Sequence, residues 1–268
     1  MNAKNLIQHF SLLTYALLSL QVSAQEYGWT DRTVEEASPM KASANADWWV
    51  SSGAYFYIEK GIGHTILGKL PEDDRWRREY ASSNPEDTEN GYKPQNIFRL
   101  VTRKKWKNFS QEMYFQIVAI NTTKSENRDG HNAVLFFNRY QDKNNLYYAG
   151  IRADGRPVIE KKVDSKYFKL AIPRSIFPGT YDREKMPNLI PTGKWIGMKT
   201  IVESTPDLKV RVLLYLDLES TGTWKLVAET EDDGKAWGKP ITEDGFVGIR
   251  TDFMDVEFRG YKITVLNR

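Results

Sequence analysis

The chain has 268 residues, with 38 lysines and arginines against 35 aspartates and glutamates, and it contains no cysteine. Near-balanced charge without clustered Lys/Arg runs excludes a nucleic-acid binder that works by phosphate neutralisation. The lack of cysteine excludes a disulfide framework, a thiol nucleophile and a Cys-ligated zinc. Stability must therefore come from a large core, for which 40% hydrophobic and 13% aromatic residues supply the material.

Met1 to Ala24 reads as an export signal: a short start with Lys4, an apolar stretch from Phe10 to Leu20, and Val22-Ser23-Ala24 as a small-residue cleavage site before Gln25. The expected location is secreted or periplasmic. The apolar run is too short for a membrane span and no second one near 20 residues long follows, so no membrane insertion is expected. Losing this segment removes one lysine and no acid, which leaves the remainder at a net charge of +2. Two Asn-x-Ser/Thr sequons, at Asn108 and Asn121, are read as chance occurrences.

Gln25 to Ala46 is polar with little periodicity and reads as a leader over the surface. From Asp47 to the end at Arg268 the chain reads as one β-sandwich domain. Strands are expected over Tyr55–Glu59, Asn96–Thr102, Gln111–Ile120, three consecutive runs between Asn132 and Val163, Tyr167–Ala171, Trp195–Val202, Lys209–Asp217, Trp224–Glu229, Gly245–Arg250 and Asp255–Leu266. Many short strands separated by turn residues indicate an all-β sandwich or barrel. No convincing amphipathic helix is visible. Two long irregular segments, Pro71 to Pro94 and Phe177 to Pro191, are expected to edge a cleft.

The three runs from Asn132 to Val163 are the most informative. They close on the turn signals Gln141-Asp142-Lys143-Asn144 and Ala153-Asp154-Gly155-Arg156, and so read as an antiparallel meander. Alternation places Ala133, Leu135, Phe137 and Arg139 on one face, and Tyr148, Gly150 and Arg152 on one face of the next strand. In Trp195–Val202 the same rule puts Trp195, Gly197 and Lys199 opposite Ile196, Met198, Thr200 and Val202, an aromatic and a cation on the face away from the core.

Taken together, WWVSSGAYFYIEKGIG, FRLVTRKKWKNFSQEMYFQI, NAVLFFNRY with NLYYAGIRADG, and the closing GFVGIRTDFMDVEFRGYKITVL resemble the concanavalin A-like lectin/glucanase superfamily. The closer resemblance is to 3-keto-disaccharide hydrolase-like and polysaccharide-lyase-like jelly-roll domains of secreted proteins. It implies an all-β fold of two antiparallel sheets with a polysaccharide cleft across one of them. The retaining-glucanase signature Glu-x-Asp-x-x-Glu is absent. Alginate-lyase relatives pair a Gln-Ile-His strand with a Tyr-containing Ala-Gly strand. Here Gln116 takes the glutamine position, Val118 stands at the histidine and Arg152 at the catalytic tyrosine.

β-Elimination of a uronate needs a group that neutralises the carboxylate, a base for the C5 proton and an acid for the leaving oxygen. The expected roles are Arg139 and Arg152 for the carboxylate, Gln116 or Asn138 as supporting donor, and Tyr148 or His131 as base or acid. Lys162, Trp195 and Lys199 join Asn138 as substrate-binding candidates. The bland readings of the same residues are sheet packing for the tyrosines, cross-strand ion pairs for the arginines, and a turn residue for His131. No Gly-x-Ser-x-Gly or His-Glu-x-x-His occurs. No cofactor is required, although Asp252 and Asp255 are candidates to join N-terminal carbonyls around a structural Ca²⁺, as the resemblance implies. The expected partner is an anionic polysaccharide, and the first functional expectation is a lyase that cleaves it. The alternatives are a non-catalytic carbohydrate-binding module and a glycoside hydrolase of the 3-keto-disaccharide hydrolase-like type.

Overall fold

The computed structural model describes residues 24–26, 32–236 and 238–267. The export-signal reading lies, apart from Ala24, outside the described residues. The described strands in chain order are β1 (Ala24–Glu26), β2 (Arg32–Glu35), β3 (Trp48–Ser52), β4 (Tyr55–Glu59), β5 (Ile62–His64), β6 (Ile97–Thr102), β7 (Phe109–Ile120), β8 (Ala133–Asp142), β9 (Asn145–Arg152), β10 (Pro157–Val163), β11 (Lys166–Ala171), β12 (Ile196–Ser204), β13 (Val210–Asp217), β14 (Lys225–Asp232), β15 (Phe246–Asp252) and β16 (Met254–Val265), with one helix, α1 (Arg75–Ser83).

They form two antiparallel sheets. One runs β14-β13-β12-β7-β16-β5-β4-β2, with β1 also paired to β16; the other runs β11-β10-β9-β8-β15-β6-β3. Inner-face residues of both sheets interlock in one core, with Trp48, Phe98, Phe136 and Ile249 from the smaller sheet against Phe115, Met198, Val212 and Phe258 from the larger. This is the jelly-roll sandwich that the resemblance implies, and the period-2 alternation explains it. In β13, for example, Val210, Val212, Leu214 and Leu216 are buried while Arg211 is exposed.

Three departures from the sequence reading are informative. The leader contributes structure, because β2 pairs with β4 and Gln25 of β1 lies opposite Ile263. The segment after Pro71 contains α1, whose Asp74 side chain caps the Trp76 and Arg77 amides and whose Trp76 and Tyr80 pack under it. Tyr80 donates to Glu36 at 2.5 Å and accepts from the Gly53 amide at 2.7 Å, tying helix to leader. The third departure is at Asn138 and Arg139.

Both residues of this pair are interior. The β8 register slips between Asn138 and Asp142, and Arg139 has φ +50°, so the alternation that would send Arg139 outward breaks there. Arg139 is fully buried and donates to the Lys107 carbonyl at 2.7 and 3.0 Å, to the Ile241 carbonyl at 2.8 Å and to Asn108 Oδ1 at 3.3 Å. Asn138 is fully buried between the sheets, where its Oδ1 accepts from Gln111 Nε2 at 2.7 Å and Thr200 Oγ1 at 2.9 Å. The binding roles expected of these two residues are therefore corrected to structural ones: neither side chain reaches solvent.

Candidate functional site

The open face of the smaller sheet carries a groove, and the strand register builds it. Phe137, Tyr148, Glu160 and Lys169 stand opposite one another on β8, β9, β10 and β11, while Lys162 lies opposite Tyr167. On the other side of β8, Arg250 pairs with both Leu135 and Arg99. Two contiguous depressions, of about 510 and 360 Å³, share Arg99 and Tyr148. The first is bounded by Asp87, Asn127 and His131, the second by Trp49 and Lys143. Together they have the size and mixed lining of a small-ligand site.

Glycine keeps the floor low. A Cβ on Gly150 would lie 2.2 Å from the Val134 carbonyl oxygen, and one on Gly248 would lie 2.2 Å from that of Leu100. These two positions separate the large side chains, Tyr148 from Arg152 and Phe246 from Arg250.

A stack of rings forms the groove's aromatic wall. Tyr148 and Tyr167 lie parallel with centroids 6.0 Å apart, and Phe137 meets Tyr148 edge-on at 5.5 Å. Cations sit over both tyrosines, Arg250 at 5.5 Å from Tyr148 and Lys162 at 4.8 Å from Tyr167. The two phenols are driven apart in acidity. Burial raises Tyr148 above the ordinary tyrosine value, with Arg250 opposing. For Tyr167, burial also pushes upward, but Arg250, Lys162 and hydrogen bonds from Lys162 and Tyr148 outweigh it and hold the hydroxyl below the ordinary value.

The charged groups fall into two kinds. Arg250 Nε donates to both oxygens of Asp252 at 2.9 and 3.1 Å, Arg152 pairs with Asp154 at 2.6 Å, and His131 Nδ1 lies 3.0 Å from Asp129. Glu160, Arg99 and Lys169, in contrast, have no ion pair within 4 Å among the described residues. Burial raises the Glu160 carboxyl above the ordinary glutamate value, against the pull of Arg152, Lys169, His131 and Arg250.

The far wall is built before any ligand arrives. Arg128, nearly buried, donates to the Thr123 and Arg183 carbonyls at 2.6 Å each and to Glu184 at 2.9 Å. Asp87 accepts from Ser125 at 2.5 Å and Asn127 at 3.0 Å. Both long irregular segments are thus fastened to the 121–132 loop that carries His131, and the 71–94 segment places Asp87 in the groove itself.

Of the residues expected from sequence, the structure brings Tyr148, His131, Lys162 and Asp252 to the groove, while Arg152 is paired with Asp154 and does not line it. Gln116, Trp195 and Lys199 lie elsewhere, on the outer face of the larger sheet. Gln116 pairs across with Glu257, Lys199 is bound to Glu112 at 2.7 Å and sits 4.1 Å over Trp224, and Trp195 is covered by Arg259 at 4.3 Å. Tyr167, Arg250, Arg99 and Glu160 were missed as groove residues. Alternation alone could have found Glu160, since it lies two positions from Lys162, and the short Asp164-Ser165 turn fixes Tyr167 opposite Lys162.

The calcium expectation for Asp252 and Asp255 is corrected. Asp252 is held by Arg250, while Asp255 accepts from the Gly68 amide at 2.7 Å, Asn121 Nδ2 at 2.8 Å and Gln95 Nε2 at 2.9 Å. Their oxygens face N–H donors, the wrong polarity for cation ligands, and no group of three or more His, Cys, Asp or Glu able to hold a metal occurs among the described residues. No helix among the described residues is long and apolar enough to cross a membrane.

No family model matches the chain, and no curated protein matches it. Among solved structures, it is similar to the carbohydrate binding module CBM66 from Bacillus subtilis, with TM-score 0.48 and 15% identity over 80% of this chain and 94% of that one. A Bacillus subtilis protein of unknown function with a galectin-like fold gives TM-score 0.47 and 11% identity over 89% and 99% of the two chains. Basic winged bean lectin with Tn-antigen gives TM-score 0.42 and 9% identity over 90% and 98%.

Proposed function

We propose that the protein is an exported carbohydrate-binding protein whose ligand lies in the groove on the smaller sheet, against the Tyr148–Tyr167 wall. The observation that carries this reading is the combination, on one open sheet face, of stacked rings with side chains that have unused hydrogen-bonding capacity: Glu160, Arg99 and Lys169. Sugars offer apolar C–H faces to rings and hydroxyls to donors and acceptors, so a ligand needs both kinds of partner side by side.

Isothermal titration with a panel of uncharged and uronate-containing oligosaccharides tests it. Binding that falls at least about fivefold in Tyr167→Ala and persists in Trp195→Ala supports the groove. Binding lost only in Trp195→Ala moves the site to the other sheet.

A second reading, β-elimination of a uronate, has its own observation: two neighbouring phenols with opposed acidity, Tyr167 easier to ionise and Tyr148 harder. Such a divergence suits a base and an acid acting in one site. In this reading Tyr167 takes the C5 proton and Tyr148 protonates the leaving oxygen. Growth of the ultraviolet band of an unsaturated uronate, lost in Tyr167→Phe, supports it; binding without absorbance leaves the protein a binding module.

A further inference from the structure

Glu160 is unlike every other carboxylate in the groove. Asp87 is engaged by Ser125 and Asn127, Asp129 by His131, Asp142 by Asn145, and Asp252 by Arg250. Glu160 has neither a hydrogen bond nor an ion pair among the described residues, although it stands mid-groove between Tyr148 on β9 and Lys169 on β11. A half-buried carboxyl left without a partner is costly unless something else meets it.

The groups that face it from each neighbouring element are Tyr148 and Arg152 on β9, Lys169 on β11, Arg250 on β15, and His131 on the 121–132 loop. The cations Lys169 and Arg250 line the groove around the carboxyl, where a ligand's own charge would lie.

We infer that the groove takes an acidic sugar, a uronate, and that Glu160 binds it in the protonated form, donating its O–H to the ligand carboxylate while Arg99, Lys169 and Arg250 supply the charge. The balance is simple: one proton is taken up at Glu160 when the uronate binds, and no bond to carbon changes. A second carboxylate at this position would repel an ionised Glu160, whereas a shared proton turns the repulsion into a short hydrogen bond. Burial that already favours the neutral carboxyl works in the same direction. This inference rests on the groove being the carbohydrate site.

The test is titration of an oligogalacturonate hexamer and of an uncharged mannohexaose into the protein between pH 5 and pH 8, with Glu160→Gln, His131→Asn and Tyr167→Ala as variants. Oligogalacturonate affinity is expected to rise on acidification, up to about tenfold per pH unit while one proton is taken up. Glu160→Gln, a permanent neutral donor, is expected to bind the hexamer with a flat pH profile, and His131→Asn to keep the slope. A pH-independent affinity, a slope that survives in Glu160→Gln, or a slope removed by His131→Asn alone overturns the assignment to Glu160. Binding of mannohexaose without oligogalacturonate overturns it too, while leaving the groove as a sugar site if Tyr167→Ala abolishes that binding. No saccharide binding at all, with the variants folded, overturns the groove reading itself.

Discussion

The two sheets each present aromatic and cationic side chains outward, and the difference lies in whether those side chains are already occupied. On the larger sheet, Lys199 is held by Glu112 and lies over Trp224, while Arg259 covers Trp195 and stands 5.6 Å from Tyr114. Every ring of that ladder has a cation from its own chain. On the smaller sheet Tyr148 and Tyr167 likewise carry Arg250 and Lys162, but Tyr167 remains 53% exposed at the groove edge, and Glu160, Arg99 and Lys169 stay without ion pairs among the described residues. A surface whose members satisfy one another is a structural device; a surface with capacity left over can take a ligand. Residue type alone does not separate the two cases.

Four variants sharpen or break that contrast. The largest effect is expected inside the sandwich. Asp232 lies completely buried, paired with Lys161 at 2.8 Å and accepting from the Tyr147 hydroxyl at 2.6 Å. Asp232→Ala leaves an uncompensated buried ammonium and is expected to cost about 3–5 kcal/mol in chemical denaturation. Arg139→Met is expected to follow, at about 3 kcal/mol, because the Lys107 and Ile241 carbonyls lose their donor. Its sugar affinity per folded molecule should equal that of the parent, in contrast to a groove residue. If Arg139→Met folds as well as the parent and loses binding selectively, the structural assignment of Arg139 is wrong.

Tyr167→Ala is expected to act on the opposite quantity: a loss of about 1–2 kcal/mol in sugar binding with less than about 0.5 kcal/mol in stability, since the side chain is more than half exposed. The smallest change is expected on the closed ladder. Lys199→Met removes a partly exposed ion pair and should alter stability by less than about 1 kcal/mol without touching sugar retention in an affinity gel. Equal losses of sugar retention in Lys199→Met and Tyr167→Ala would erase the distinction between the faces.

Acidity offers a further check on the groove. Glu160 has its folded-state value raised above the unfolded one, so the folded protein holds this proton more tightly than the unfolded chain. The contribution is constant below the unfolded value and is lost as pH rises from there through the folded value. Glu160→Gln is accordingly expected to be more stable than the parent at neutral pH and to converge with it below pH 4, as urea denaturation at a series of pH values would record.

Much of the sandwich was legible in the chain. The meander from Asn132 to Val163, the clean alternation of β13 and the two closing strands β15 and β16 all follow from period-2 patterning and turn residues. Helix α1 was not, because its apolar stripe is only Trp76 and Tyr80 among charged residues and its stability comes from packing on Glu36 of the leader and on Gly53 between β3 and β4. Of the site, Tyr148 and Lys162 were reachable from strand alternation, whereas Arg139 was misplaced by a register slip that alternation cannot anticipate.

The sequence by itself determined the all-β class, the order of strands and, outside the β8 register slip, which side chains share a face, since these depend on neighbours a few residues apart. Only the tertiary structure decided which face is open and which is self-satisfied. The partners concerned, Lys199 with Glu112, Arg139 with Lys107 and Ile241, Tyr147 with Asp232, are 32 to 102 residues apart in the chain and meet only when the two sheets and their loops close.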